Sequence, residues 1–253
     1  MDLGGVQTWE KRRRNPPQGL FAAEAAGLRW LRVPGGIEVA EVLDVTEEAI
    51  ILSKVRAVAP TQQAAEEFGA ALSVTHDAGA GAFGSPPQGF CEQSYIADLP
   101  MSTEPMTTWG TFFAEQRILP YANHSHLGSR GMHVIESLAQ RLDDGVFDDA
   151  APPARLHGDL WSGNVLFSPT GVVLIDPSAH GGHRITDLAM LSLFGVPYLD
   201  TILASYEQVS SHLPDHWRDL IGLHQVYPLL VHAVLFGGHN ADAAIRTAEN
   251  YLR

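Results

Sequence analysis

Residues 156–164 of the chain read LHGDLWSGN, and this stretch decides the fold. It places Asp159 five residues before Asn164. A short loop with that spacing puts a carboxylate and an amide oxygen on the same rim, where the first can accept a proton and the second can hold a metal ion. We therefore interpret Asp159 as a candidate general base and Asn164 as a candidate metal ligand.

The residues after this loop predict a β-hairpin that returns the chain to the same rim. Strands are predicted over 164–167 and 172–176, joined by a Ser-Pro-Thr-Gly turn. The second strand ends at Asp176, beside the predicted position of Asn164. Each Asp alone is equally typical of a turn or a strand end. Loop, strand, turn and strand in this order form the pattern by which kinases place a base and Mg²⁺ ligands.

The composition is that of an ordinary globular protein, with 253 residues, 45% hydrophobic and 18% charged. The 29 acidic and 16 basic residues give a net charge of −13, which argues against nucleic acid as a partner. The longest apolar run, residues 226–236, is too short to cross a bilayer, so we expect no membrane span. Without a secretory leader in the sequence, a cytoplasmic protein is expected.

Hydrophobic periodicity predicts mixed helix and strand first, and mostly helix afterwards. A helix is predicted over 20–31, strands over 37–43 and 49–55, and a second helix after Thr61, whose hydroxyl suits an N-cap. This change of pattern predicts a lobe boundary near residue 57.

Residues 77–107 are rich in Gly, Pro and Ser and predict a long, mostly irregular loop of the kind that is usually functional. Helices are predicted over 107–122 and 130–142. After Thr186 we expect helices to the end of the chain, with breaks at Gly and Pro residues.

Longer stretches resemble the fructosamine kinase family, which is related to the aminoglycoside and choline phosphotransferases. The resemblance is carried by HGDLWSGNVLF at 157–167, IDP at 175–177, HRITDLAMLSLFG at 183–195, FGSPP at 83–87, WGTFFAEQRILP at 109–120 and YPLLVHAVLFG at 227–237. LWSG at 160–163 is the part typical of fructosamine kinases in particular. The resemblance extends from about Gly4 to the end of the chain.

The resemblance implies an α+β, protein-kinase-like fold of two lobes. The nucleotide lobe would be residues 1–57, shortened, and the helical lobe residues 58–253, with a catalytic hairpin at 155–178. The implied reaction is Mg²⁺-dependent transfer of the γ-phosphoryl group of ATP to the C3 hydroxyl of a ketosamine, a small or protein-bound amine that has been glycated.

Two alternatives stay open at this point. One is a phosphotransferase for another small amino-alcohol or aminoglycoside-like substrate. The other is a degenerate, non-catalytic nucleotide-binding relative. The sequence also leaves the oligomeric state open.

The resemblance assigns roles to five residues around the loop. Asp159 is similar to the catalytic base, and Asn164 and Asp176 to the Mg²⁺ ligands. His157 would brace the loop without reacting. Asp187 resembles the buried Asp that supports the catalytic loop, with an N-cap for the following helix as the alternative.

Two further residues would form the nucleotide side. GGVQTWEK at 4–11 resembles the strand that ends in the phosphate-binding lysine, Lys11, and Glu24 would be its partner. Glu24 lies within an apolar helical stripe, where an unpaired carboxylate is costly. The alternatives are a solvated Lys11 in a basic run and a Glu24 that reaches water at the edge of the stripe.

The acceptor side is less specific in the sequence. Trp161, Trp109 and His232 are the main candidates for substrate contacts. The loop at 83–98, Arg117 and His239 are further ones. A His or Trp on an apolar helix face is also typical of an ordinary core residue.

One departure from the family concerns the start of the chain. Only ten residues precede Lys11, too few for two strands and a Gly-rich loop over the phosphates. We therefore expect weak ATP binding, poor turnover and an exposed sheet edge that favours self-association.

Overall fold

The computed structural model describes residues 7–253 of the chain, so residues 4–6 of the predicted nucleotide strand lie outside the described part. In chain order the N-terminal part contains β1 (Thr8–Arg12), α1 (Leu20–Leu31), β2 (Glu38–Val39), β3 (Val42–Val45) and β4 (Ala49–Ser53). The strands β1 and β3 pair antiparallel with the two sides of β4. This small sheet and the buried face of α1 carry Lys11 and Glu24.

The remaining elements are α2 (Gln62–Asp77), β5 (Ser94–Ile96), β6 (Leu99–Met101), α3 (Trp109–Phe112), a π-helical segment (Phe113–Ile118), α4 (Leu119–Ala122), α5 (Gly128–Asp143), β7 (Ala154–Leu156), a 3₁₀ turn (Ser162–Asn164), β8 (Val165–Ser168), β9 (Gly171–Leu174), β10 (His180–Gly182), α6 (Ile185–Phe194), α7 (Leu199–Val209), α8 (Trp217–Phe236) and α9 (Asn240–Glu249). The predicted hairpin is confirmed as β8 and β9, which pair antiparallel. Thr61 caps α2 as predicted, because its hydroxyl accepts a hydrogen bond from the backbone of Ala64 at 3.2 Å.

The predicted strand over 37–43 is wrong as a single element. Its first part, β2, pairs in parallel with β9 of the hairpin, whereas β3 pairs with β4. The chain changes sheets between them, where the backbone of Ala40 donates to Leu174 and that of Ser53 donates to Glu41. The boundary near residue 57 stays a proposal, and strand pairing crosses it.

The segment 77–107 is more ordered than a long irregular loop. It contains the hairpin of β5 and β6 and a bridge between Phe83 and Met106. At the tip of the hairpin Ala97 has a φ of 52°, and such a turn is not encoded by the usual Gly or Asn. The hairpin lies against the start of α1, where the hydroxyl of Tyr95 donates to the carbonyl of Gln18 at 2.8 Å.

Two apolar clusters hold these elements together. The first joins α1 and the small sheet to the hairpin and to α2, α6 and α7, and the second fills the space among α3, α5, α8 and α9. The hairpin of β8 and β9 is therefore fixed from both parts of the chain, which gives the loop before it a rigid support.

Among residues 7–253, one helix, α8, is long and apolar enough to cross a membrane by length and composition alone. The expectation of no membrane span was based on the apolar run at 226–236, but the helix that contains this run begins earlier, at Trp217. Half of its apolar window is buried inside the protein, against α6 and α9. Packing in a helical core accounts for that composition.

Candidate active site

The loop that carries Asp159 begins directly after β7 and is shaped by a glycine. Gly158 has a φ of 81°, and a Cβ atom there would lie 2.2 Å from the carbonyl oxygen of Ser178. Only glycine permits both the backbone conformation and this close approach. The backbone of Ser178 in turn donates to the carbonyl of His157 at 2.9 Å, which ties the loop to the segment after β9.

The carboxylate of Asp187 anchors this loop from α6. Its two oxygens accept hydrogen bonds from the backbone N–H groups of His157 at 2.8 Å and Gly158 at 2.9 Å. His76 lies 3.1 Å from the same carboxylate and 2.8 Å from the hydroxyl of Tyr206. Burial raises the pKa of Asp187, but these hydrogen bonds outweigh it and the net pKa is lowered. Because α6 begins at Ile185, the alternative of Asp187 as an N-cap is wrong.

The side chain of His157 is buried and bridges the loop and the end of the hairpin. Its Nε2 lies 2.9 Å from the carbonyl of Ile175, to which it can only donate. Its Nδ1 therefore accepts, and the backbone N–H of Asp159 lies 3.3 Å away. Burial lowers the pKa of His157, so the ring is neutral at physiological pH. This geometry matches a bracing residue and leaves no free nitrogen for proton transfer.

Asp159, Asn164 and Asp176 meet at one rim. The amide nitrogen of Asn164 donates to the backbone carbonyl of Asp159 at 2.8 Å, to its carboxylate at 3.1 Å and to the carbonyl of Asp176 at 3.4 Å. The side-chain oxygen of Asn164 receives no hydrogen bond from residues 7–253. Asp176 has a φ of 53°, a left-handed conformation that turns the chain sharply at the end of β9.

The partly buried carboxyl group of Asp159 has the properties of a base for use near neutral pH. Burial raises its pKa to about 7; the hydrogen bond from Asn164 opposes this rise, and the charges of Asp176 and Asp187 add to it. A base is most effective when its pKa lies near the working pH.

The ammonium group of Lys11 lies between two carboxylates, at 2.9 Å from Glu24 and 3.1 Å from Asp176. Burial lowers the pKa of Lys11, but the two carboxylates outweigh it and the net pKa is raised. Burial raises the pKa of Glu24, and the charge of Lys11 opposes that rise. Lys11 is paired with two carboxylates and the side chain of Glu24 is only 8% exposed, so the structure contradicts both alternatives, a solvated Lys11 and a water-facing Glu24.

These side chains face a cavity of about 280 Å³, which we call the polar cavity. Lys11, Glu24, Asn164 and Asp176 line it together with Asp159 and Trp161. At its mouth the guanidinium group of Arg13 makes two hydrogen bonds to the carboxylate of Asp98, at the tip of the β5–β6 hairpin. That ion pair joins the small sheet to the predicted substrate loop.

The polar cavity fits a magnesium–nucleotide complex by its donor set. Within the described residues, no three His, Cys, Asp or Glu side chains form a metal cluster. Asp176 and the unpartnered oxygen of Asn164 are hard oxygen donors, and Mg²⁺ commonly takes one or two protein ligands with phosphate and water for the rest. Lys11 adds a positive charge on the same wall.

Asp159 also lines a second cavity, of about 330 Å³, which we call the apolar cavity. It shares Ala97, Asp159 and Trp161 with the polar cavity. Its other lining residues are Ile96, Met190, Phe194, Tyr227, Pro228, Val231, His232, Leu235 and Phe236. Asp159 therefore lines both a cavity with several charged side chains and a mostly apolar one.

Comparison with known proteins agrees with this arrangement. Residues 8–253 match the family model described as fructosamine kinase. The chain belongs to the fructosamine kinase family. It is therefore a kinase, a phosphotransferase that acts on a hydroxyl group.

Two relatives give the degree of similarity. A probable ketoamine kinase of Thermus thermophilus is 34% identical over 228 residues, which cover 90% of this chain and 80% of that protein. The crystal structure of a candidate fructosamine-3-kinase of Thermobifida fusca has a TM-score of 0.91 and 42% identity, covering 99% of this chain and 87% of that one. The aminoglycoside phosphotransferase APH(4)-Ia, with 18% identity and a TM-score of 0.60 over 97% of this chain and 89% of that one, shares the fold, which confirms the protein-kinase-like prediction.

The structure of this kinase brings most of the predicted site residues together. Asp159, Asn164, Asp176, Lys11 and Glu24 line one cavity, and His157 and Asp187 support the loop from behind. Trp161 lines both cavities, and His232 lines the apolar one.

Three predicted substrate residues do not face either cavity. Trp109 is buried among Phe113, His183 and His224, so the prediction that it contacts substrate is wrong and its role is packing. Arg117 is buried over the ring of Phe112 and donates to backbone carbonyls. His239 is exposed beside the start of α9. Trp109 and Arg117 lie on helix faces whose direction the sequence pattern does not fix, and His239 lies in the turn before α9.

Sequence reasoning missed several residues of the site. His76 follows Leu72 by four residues on the buried face of α2, and that position is the signal that could have indicated it. Arg13 and Asp98 are far apart in sequence and carry no local signal. The same holds for Phe194 and Phe236 in the apolar cavity.

We predict that Asp187→Asn destabilises the protein by about 3 kcal/mol, because an amide offers one acceptor oxygen to two buried backbone N–H groups. Urea unfolding, monitored by circular dichroism, measures this loss of stability. The matched control is Asp242→Asn, an exposed Asp in the first turn of α9, which should leave the unfolding midpoint unchanged. Equal midpoints for the two variants would show that Asp187 does not support the loop.

Proposed function

We propose that the chain transfers the γ-phosphoryl group of ATP to the C3 hydroxyl of a ketosamine. The observation that carries this proposal is the convergence of Asp159, Asn164, Asp176 and Lys11 on one cavity, with Asp159 also open to a second cavity. Family membership supports the ketosamine as acceptor. A cytoplasmic location, where ATP is available, is part of the proposal.

In this mechanism Lys11 binds the phosphates, and Asp176 and Asn164 are the residues that would hold Mg²⁺. Bound Mg²⁺ would offset negative charge on the phosphate oxygens. Asp159 accepts the proton of the C3 hydroxyl while the oxygen of that hydroxyl forms a bond to the γ-phosphorus. The bond from that phosphorus to the β–γ bridging oxygen breaks, ADP leaves, and the proton remains on Asp159 until it passes to solvent.

The roles of the supporting residues follow from their contacts. Glu24 holds Lys11 in the cavity at 2.9 Å. Asp187 and His157 fix the backbone that leads into Asp159, so the base is positioned by groups that do not themselves touch the reactants. Catalysis by positioning of this kind depends on a rigid support.

A panel of acceptors with labelled ATP tests the proposed function. We expect the ketosamine of a simple amine to be phosphorylated with a kcat/KM at least about 100-fold above that of choline or an aminoglycoside, since the acceptor contacts select among substrates. Nuclear magnetic resonance of the product should place the phosphate on C3. Preferential phosphorylation of choline or the aminoglycoside would contradict the proposal, as would the absence of any product.

We predict that Asp159→Asn lowers kcat by about 10²–10⁴-fold, the usual effect of losing a general base. The Kd for Mg²⁺-ATP should stay within about threefold, because Asp159 holds neither metal nor phosphate in this mechanism. The control is Asp215→Asn, at an exposed position outside both cavities. A kcat within about threefold of the wild type would remove Asp159 from the role of base.

We predict that Asp176→Ala raises the Kd for Mg²⁺-ATP by at least about tenfold, because one of two protein ligands is lost. Without Mg²⁺ the same variant should bind ATP at least as tightly as wild type, since Lys11 loses a competing carboxylate at 3.1 Å. Thermal-shift titrations with and without Mg²⁺ separate the two effects, and Asp215→Ala is the control. An unchanged dependence on Mg²⁺ would place the metal on other residues.

A further inference from the structure

Four ring side chains form a continuous row that starts beside Asp159 and leads outward along the apolar cavity. The ring centroids of Trp161 and Phe194 are 6.4 Å apart, those of Phe194 and His232 4.7 Å, and those of His232 and Phe236 5.2 Å. The Phe194 and His232 rings are stacked, and the other two pairs are edge-on. We call these four residues the aromatic row.

The aromatic row is unusually open to solvent for residues of its kind. Trp161 is 42% exposed, Phe194 38% and Phe236 71%. Single exposed apolar side chains are normal, but adjacent ones that line a cavity indicate a binding surface. Asp159 also lines this cavity, so a molecule whose hydroxyl reaches Asp159 has space to extend along the row.

The charges around the apolar cavity favour one kind of ligand. Among the described residues that line it, two have an acidic or basic side chain, Asp159 and His232. Burial lowers the pKa of His232, so this ring is neutral at physiological pH. No Lys or Arg lines the cavity to receive a carboxylate. An anion placed there would lose its hydration without gaining a partner.

The acceptor class named above has the complementary chemistry. The nitrogen of a ketosamine is a secondary amine and carries a positive charge at neutral pH. A cation of this kind is stabilised over the faces of aromatic rings and by the nearby charge of Asp159. The group on the far side of that nitrogen then lies against Phe194, His232 and Phe236.

We propose that the apolar cavity binds the amine portion of the acceptor and selects ketosamines whose amine carries an aromatic or alkyl group and no carboxylate. This inference rests on the proposed function and adds the identity of the amine side. Ketosamines of free amino acids are disfavoured, because their α-carboxylate has no partner in the cavity.

Three synthetic acceptors test this selectivity: the ketosamines of methylamine, of 2-phenylethylamine and of phenylalanine. The last two differ by one carboxylate. We expect the phenylethylamine compound to have the highest kcat/KM of the three. Its value should exceed that of the methylamine compound by about tenfold, and that of the phenylalanine compound by about tenfold or more. A phenylalanine compound that is used as well as the phenylethylamine one would overturn the inference.

The variant Phe236→Ala probes the outer end of the row, where the side chain is exposed and its loss should not affect folding. It should reduce the phenylethylamine-to-methylamine ratio of kcat/KM at least about threefold. Val209→Ala, an exposed apolar residue that does not line the cavity, should leave the ratio unchanged. A ratio unaffected by Phe236→Ala would overturn the assignment of the row.

Calorimetric titration of the same three compounds separates this inference from the proposed function. If none is phosphorylated but the order of affinities places the phenylethylamine compound above the other two, the reaction is wrong and the cavity assignment stands. If phosphorylation occurs without that order in affinity or in kcat/KM, the reaction stands and the cavity assignment is wrong.

Discussion

The rest of the site depends on the buried carboxylate of Asp187. It holds two successive backbone N–H groups of the loop, at His157 and Gly158, and it is itself fixed by His76. A charged acceptor in a dry interior makes strong hydrogen bonds, but it must be fully satisfied to be stable there. The loop backbone must therefore take a conformation that directs both N–H groups at this carboxylate. That backbone conformation sets the position of Asp159, the next residue in the chain.

A second constraint is the balance of charge in the polar cavity. Glu24 and Asp176 both pair with the ammonium group of Lys11, Arg13 is paired with Asp98, and Asp159 lines the same cavity without an ion pair to a described residue. The cavity therefore carries excess negative charge before a nucleotide enters. A triphosphate would add more, and the divalent cation proposed at Asp176 and Asn164 would offset that charge. Burial, together with the same excess of negative charge, raises the pKa of Asp159 to about 7, which suits a base that works near neutral pH.

The sequence predicted those parts of the molecule whose residues are close together in the chain. Asp159, Asn164 and Asp176 lie on one loop and one hairpin, so local spacing determines their meeting. Lys11 and Glu24 were predicted by resemblance and by the cost of an unpaired carboxylate in an apolar stripe. The parts that were missed depend on tertiary contacts: the transfer of β2 to the hairpin sheet, the order in 77–107 and the pairing of Arg13 with Asp98.

The acceptor side shows the limit of motif reasoning most clearly. Trp161 comes from the loop, Phe194 from the last residue of α6, and His232 and Phe236 from α8. They meet only because α6 and α8 pack together, and a helical stripe looks the same in sequence whether it faces the core or a ligand. Trp109 illustrates the opposite outcome, since it has similar chemistry and lies in the core. The proposed base and metal ligands are therefore close together in the chain, whereas three of the four residues proposed to select the amine meet only through helix packing, so a change on α6 or α8 would alter the proposed selectivity without altering the loop.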